Sequence, residues 1–143
     1  MDLFNAALYL AIKALAYTGW SKVGLRHLRP ERAPTWTTTA QFGVIRLLMG
    51  LGFGSVIFAL STAVAMALKN VWAAYILVYV PVRWVEWSLL SAMISGRWSA
   101  ADVLRGASDV DRAWRVRGIV LSCAADVPVI LALETIAVGR FLC

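Results

Sequence analysis

Four long apolar stretches dominate this chain, and ionisable side chains stand deep inside three of them. The stretches run over residues 3–20, 42–68, 71–94 and 116–142. A helix needs about 20 mostly apolar residues to cross the hydrocarbon of a bilayer. Spanning β-strands would be shorter and would alternate strictly. The expected fold is therefore all-α: one domain, an integral membrane bundle of four transmembrane helices in up-down order. Composition agrees. The 143 residues are 61% hydrophobic and 15% charged, whereas soluble domains are about half apolar and a quarter charged.

The loops set the direction. Loop 21–41 carries Lys22, Arg26, Arg29 and Arg32 against Glu31. Loop 95–115, with the residues just after it, carries Arg97, Arg105, Arg112, Arg115 and Arg117 against three aspartates. The turn between the second and third stretches has Lys69 alone. Excess Lys and Arg marks the cytoplasmic side, so both long loops are expected inside and both termini outside, in a bacterial inner membrane. The first stretch lacks the basic residues that open a signal peptide. The net charge of +6 is then topological, and no nucleic-acid partner is expected. These loops suit ordinary connectors, with binding of an anionic lipid headgroup as the alternative. A threonine of the Trp36–Thr39 run is expected to cap the second helix. Ser99 to Arg105 can form a short surface helix closed by Gly106. Trp98 and Trp114 are expected at the interface.

The chemistry-bearing residues lie inside the spans. Lys13, Arg83, Glu86, Asp126 and Glu134 each interrupt an apolar run, at an insertion cost of at least about 2.5–3.5 kcal/mol each. At about 1.5 Å per residue, the first four fall near one depth, with Glu134 about 8 Å further toward the outside. Arg46, in the first turn of the second stretch, is expected to snorkel to water. Residues three and four apart share a helix face. Asn5, Tyr9, Lys13 and Tyr17 make one such row, Trp72, Tyr75, Tyr79, Arg83 and Glu86 another, and Ser122 with Asp126 a third. The second stretch offers Gly50 and Gly54, a G-x-x-x-G spacing that permits close helix approach. It reads as the packing helix, the other three as walls of a polar interior. Pro81 and Pro128 adjoin the charged level, where each withdraws an N–H from its helix.

The segment Arg83-Trp84-Val85-Glu86-Trp87-Ser88-Leu89-Leu90-Ser91 resembles the third helix of microbial rhodopsins, heliorhodopsins in particular. The resemblance implies that Glu86 stands where that family places the counter-ion of a retinal Schiff base. It covers only those residues. The family's seven helices and final-helix lysine have no counterpart, and Lys13, the mid-span amine, lies in the first helix. No cofactor is expected.

Other site chemistry is sparse. His27 lies in a basic loop without metal-ligand spacing, no Ser-His-Asp set can be assembled at membrane depth, and no metal is expected. Cys123 and Cys143 form no C-x-x-C pair. The candidate site thus comprises Glu86 and Asp126 as proton-handling groups, with Lys13, Tyr9, Tyr79, Arg83, Trp87 and Glu134 lining a pocket for a small or lipophilic molecule. Carboxylates in apolar surroundings can serve acid–base chemistry on a lipid or isoprenoid-like substrate. They can equally carry protons in a small-solute transporter. A third possibility is a non-catalytic subunit of a membrane complex, its ion pairs fixing which helix sits beside which. Membrane lipids, a lipophilic small molecule, and a membrane-protein partner or second copy are the expected partners.

Overall fold

The computed structural model describes residues 3–31 and 33–133. Among them there are helices and no strands. Helix α1 spans Leu3–Leu28, α2 Trp36–Leu68, α3 Val71–Ser95, α4 Ala100–Arg105 and α5 Asp109–Leu133. Glu134, Cys143 and the end of the fourth apolar stretch lie outside the described residues.

Local chemistry fixes the helix ends. Thr35 Oγ1 accepts from Thr38 N at 3.1 Å and caps α2. The helix therefore starts at Trp36, ahead of the apolar run, and the threonine run forms its first turn rather than a break before it. Lys69 in the left-handed conformation (φ 50°) ends α2, and Asn70 Oδ1 caps α3 by accepting from Ala73 N at 3.0 Å. Gly96, at φ 73°, terminates α3, a conformation that costs glycine little. Ser99 caps α4 and Gly106 closes it, as the sequence suggests. Ser108 Oγ accepts from Asp111 N at 3.2 Å at the start of α5.

The four long helices pack in the cyclic order α1–α2–α3–α5, with α1 also touching α3 across the centre. Cross-contacts make neighbours antiparallel. On α1 and α2, Lys22 sits over Trp36 and Tyr17 against Arg46. On α3 and α5, Ser91 meets Asp111 and Tyr79 meets Cys123. On α1 and α5, Tyr9 meets Asp126 and Trp20 meets Trp114.

Two helical segments, Trp36–Leu68 and Ile76–Ser95, are long and apolar enough to cross a membrane. Four were expected. Lys13 and the polar end of α1 lower its apolarity, and the described part of α5 opens with charged residues. The apolar remainder of the fourth stretch lies outside the described residues.

Burial is inverted relative to a water-soluble fold. Arg46, Arg83 and Glu86 have no solvent exposure, whereas Leu15 is 75% exposed and Met66 73%. Two apolar clusters flank the charged layer. Tyr17, Leu25, Trp87, Leu90, Ile94 and Trp114 pack on the side of the long loops. Ile57, Val78 and Tyr79 pack on the side of the α2–α3 turn. Trp114 thus belongs to the core, and only Trp98, 59% exposed, suits the interfacial placement expected of both. The indole of each of Trp20 and Trp114 donates to the other's backbone carbonyl, at 3.2 and 3.3 Å. Those reciprocal bonds hold Trp114 inward.

Candidate functional site

Glu86 is the centre of the site. On α3 it stands one turn after Arg83, and Arg83 Nη1 donates to Glu86 Oε2 at 2.5 Å. Its other oxygen accepts from Arg46 Nη1 at 2.5 Å. Arg46 reaches it from α2 and also donates to Ser122 Oγ of α5 at 3.2 Å. Its guanidinium packs in the corner formed by the rings of Tyr17 and Trp87, 4.5 Å from each centroid. One arginine thereby ties four helices together. The Arg83 guanidinium lies 5.1 Å from the Tyr79 ring, and Tyr79 Oη accepts from Cys123 Sγ at 3.4 Å.

Arg46 therefore does not snorkel to water. Capping at Thr35 puts it in the third turn of α2 instead of the first. It also lies on the face where Thr39, Gly43, Gly50, Gly54, Ile57 and Ser61 are buried. The glycines let neighbouring backbones approach: a Cβ on Gly43 would sit 3.0 Å from the Thr18 Cα of α1. The packing helix and the polar wall are one and the same.

A second cluster joins α1 to α5. Lys13 Nζ lies 2.6 Å from Asp126 Oδ1, and Tyr9 Oη donates to that same oxygen at 2.7 Å. Lys13 also sits over the Tyr9 ring at 4.6 Å. Lys13 precedes Tyr17 by four residues on α1, and Asp126 follows Ser122 by four on α5. The two clusters are therefore one helical turn apart, about 6 Å. Tyr9, Lys13, Tyr79, Arg83, Glu86, Trp87 and Asp126 all line the interior. Glu134 and the side chains of Asn5, Trp72 and Tyr75 lie outside what the structure describes.

A third network was not anticipated. Arg115 is 1% exposed, within α5 rather than in a loop. Its Nε and Nη2 donate to Asp111 at 2.9 and 2.6 Å. Nη1 donates to Ser88 Oγ at 2.8 Å and to the Val103 carbonyl at 2.7 Å, and Nη2 to the Asp102 carbonyl at 2.9 Å. Asp111 also accepts from Ser91 Oγ at 2.6 Å. Arg115 thus pins α4 against α3 and α5. Its sequence signal is the Asp111–Arg115 spacing of four facing the Ser88–Ser91 spacing of three.

Not every buried polar atom is matched. Tyr17 Oη, Ser21 Oγ, Arg46 Nε and Trp87 Nε1 lack a hydrogen-bond partner among the described residues. Their residues are neighbours. Tyr17 and Trp87 stand edge to face with their centroids 6.2 Å apart and form a corner that holds Arg46, and Ser21 is one turn beyond Tyr17 on α1. All four can donate, and the two hydroxyls can also accept. Buried polar groups are paired in over 90% of cases, so four neighbouring exceptions call for a partner. No group of three or more His, Cys, Asp or Glu suited to a metal occurs among the described residues.

No family model matches this chain, and neither a curated protein nor a solved structure matches it.

Proposed function

We propose that this protein spans a membrane four times, with both termini outside, and binds a small molecule bearing hydrogen-bond acceptors beside Arg46 and its aromatic corner. The inverted burial supports the membrane placement. Exposed aliphatic side chains on α1, α2, α3 and α5 suit lipid, and buried charges with counter-charges suit the interior of a membrane bundle. The basic long loops suit the cytoplasmic face of a cell's inner membrane.

The observation that carries the ligand is the set of unpaired polar atoms on Tyr17, Ser21, Arg46 and Trp87. Leaving a buried group unpaired costs about 1–3 kcal/mol. Carbonyl or ether oxygens of a bound molecule would accept from donors among the indole N–H, the Arg46 Nε–H and the Tyr17 hydroxyl. The aromatic rings around them would hold an apolar remainder. The ion networks frame this site. Glu86 is clamped by two guanidiniums and Asp126 by an ammonium and a phenol, so both carboxylates lock helices rather than serve as free proton donors. Acid–base catalysis and proton-coupled transport would need one of these locks to open.

Trp87→Phe tests the ligand. It keeps the ring on Arg46 and deletes one unpaired donor. A bound molecule predicts that wild-type protein in nanodiscs releases a non-lipid compound on unfolding. The variant should lose that compound and melt lower. A variant that melts higher and releases nothing different contradicts binding. A lower melt without any released compound assigns the spot to water and also contradicts it.

A further inference from the structure

Helix α4 is held through its last carbonyls. Its six residues, Ala100–Arg105, include none that is buried, and a helix of that length is not stable on its own. The carbonyls of Asp102, Val103 and Leu104 accept from side chains of two other helices. Arg115 of α5 reaches the first two at 2.9 and 2.7 Å, and the Trp84 indole of α3 reaches the third at 2.8 Å. These are the acceptors that a helix C-terminus leaves free, and a cation there also suits the helix dipole. Gly96 (φ 73°) and Gly106 (φ 84°) bracket the segment. Helix α4 packs on α3, outside the ring of four long helices. Beneath it runs the seam between α3 and α5, where Ser88 and Ser91 face Asp111 and Arg115, each 2% exposed or less. One residue further along each chain stand Trp87 and Trp114, edge to face at 5.2 Å. The Trp87 ring lies against Gly118 of α5, which offers no side chain to it, and its N–H is one of the unpaired interior groups. The other seams are shut within the long helices. Gly43 lies against Thr18 between α1 and α2, Arg46 holds Glu86 between α2 and α3, and the reciprocal Trp20–Trp114 bonds close α1 on α5.

From this arrangement we infer that α4 is a strap over the α3–α5 seam, and that its opening is the lateral route to the unpaired groups on Trp87, Tyr17 and Ser21. The inference rests on the interior binding site proposed above and names how that site is reached. Lifting α4 takes three neutral carbonyls from Arg115 and Trp84. The Arg115–Asp111 ion pair stays, so no bare charge is left behind. A segment with no buried residue, held by a few bonds at one end, opens locally while the packed helices stay folded.

Labelling by N-ethylmaleimide of the full chain in nanodiscs, in a background lacking Cys123 and Cys143, tests the inference. Ser91→Cys reports from beneath the strap, Ser21→Cys from the interior, and Ser61→Cys from a buried position toward the α2–α3 turn. Ala100→Gly and Ala101→Gly loosen α4 at exposed positions that touch neither Arg115 nor Trp84. Each should speed labelling about fivefold at Ser91→Cys and Ser21→Cys, the equivalent of the helix penalty of glycine. Ser61→Cys should label at its original rate. The rate follows the open population as long as the strap recloses faster than the reagent reacts. Unchanged labelling at Ser91→Cys would overturn the strap. Faster labelling there without any gain at Ser21→Cys would overturn the route, and equal gains at Ser61→Cys would reduce the effect to general loosening and overturn both. The reagent needs no bound ligand, so the two readings fail separately. Gated labelling in a protein that releases no compound on unfolding would sink the ligand and leave the strap, and a released compound with ungated labelling would sink the strap alone.

Discussion

Arg46 and Glu86 lie 40 residues apart in sequence and meet at 2.5 Å between α2 and α3. Glu86 holds Arg83 with its other oxygen, so one carboxylate serves two buried guanidiniums. Removing one member of a buried pair costs about 3–5 kcal/mol, because the other charge stays behind. Glu86→Gln should therefore lower the melting temperature strongly, and Arg46→Gln should do so too. A double-mutant cycle should give a coupling of about 0.5–3 kcal/mol, the range for residues in contact. If Glu86→Gln leaves stability intact and removes only an activity, Glu86 is a proton-handling group and not a lock.

Lys13 and Asp126 make a second test of the same principle. Asp126→Asn strands a buried ammonium. The double change Lys13→Met with Asp126→Leu removes both charges and should melt higher than Asp126→Asn alone. Tyr9→Phe deletes one bond to the carboxylate and should cost about 1.5–3 kcal/mol. Should Asp126→Asn melt like the wild type, the pair contributes nothing to stability.

Glycine substitutions should split in sign according to what each faces. A Cβ on Gly118 would lie 2.8 Å from the Trp87 ring, whereas one on Gly52 meets nothing within 4 Å. Gly118→Ala should destabilise by about 1–3 kcal/mol through overpacking. Gly52→Ala should be neutral or stabilising by up to about 1 kcal/mol, from helix propensity. Thermal melts of the two proteins check the contrast.

Arg115→Lys should release α4. A lysine keeps the charge but cannot donate at once to Asp111, Ser88 and two α4 carbonyls. Hydrogen exchange should rise across residues 100–105 while the Glu86 region stays protected. Unchanged exchange in α4 would mean that Trp84, whose indole donates to the Leu104 carbonyl at 2.8 Å, holds that helix alone.

Much of the helical layout was legible because apolar length and terminal caps are local signals. Lys13 with Asp126, and Arg83 with Glu86, were legible as pairs because depth and helical spacing fix where a mid-helix charge can look. Arg46 was not. Hydropathy sets the start of α2 at Phe42, which makes an arginine four residues on look terminal, while the Thr35 cap starts the helix earlier. The spacing Gly43–Arg46–Gly50–Gly54 places Arg46 on the close-packed face, and that was the missed clue. Trp114 and Arg115 were missed for a related reason. Charged residues lower hydropathy, so the first turns of α5 read as loop although Arg115 finds its acceptors inside. The unpaired atoms around Trp87 depend on partners from three helices and leave no mark in sequence.

The proposed function has the chain cross the membrane four times with its charged layer inside. The direct measurement is accessibility of single cysteines, in a background lacking Cys123 and Cys143, to a membrane-impermeant thiol reagent in intact cells. Cysteines at Lys69 and near the N-terminus should label from outside. Those at Glu31 and Ser99 should label only after the membrane is opened. Labelling of Glu31 or Ser99 positions in intact cells, or of all four in a soluble fraction, would contradict the four-span placement and the buried-charge account built on it.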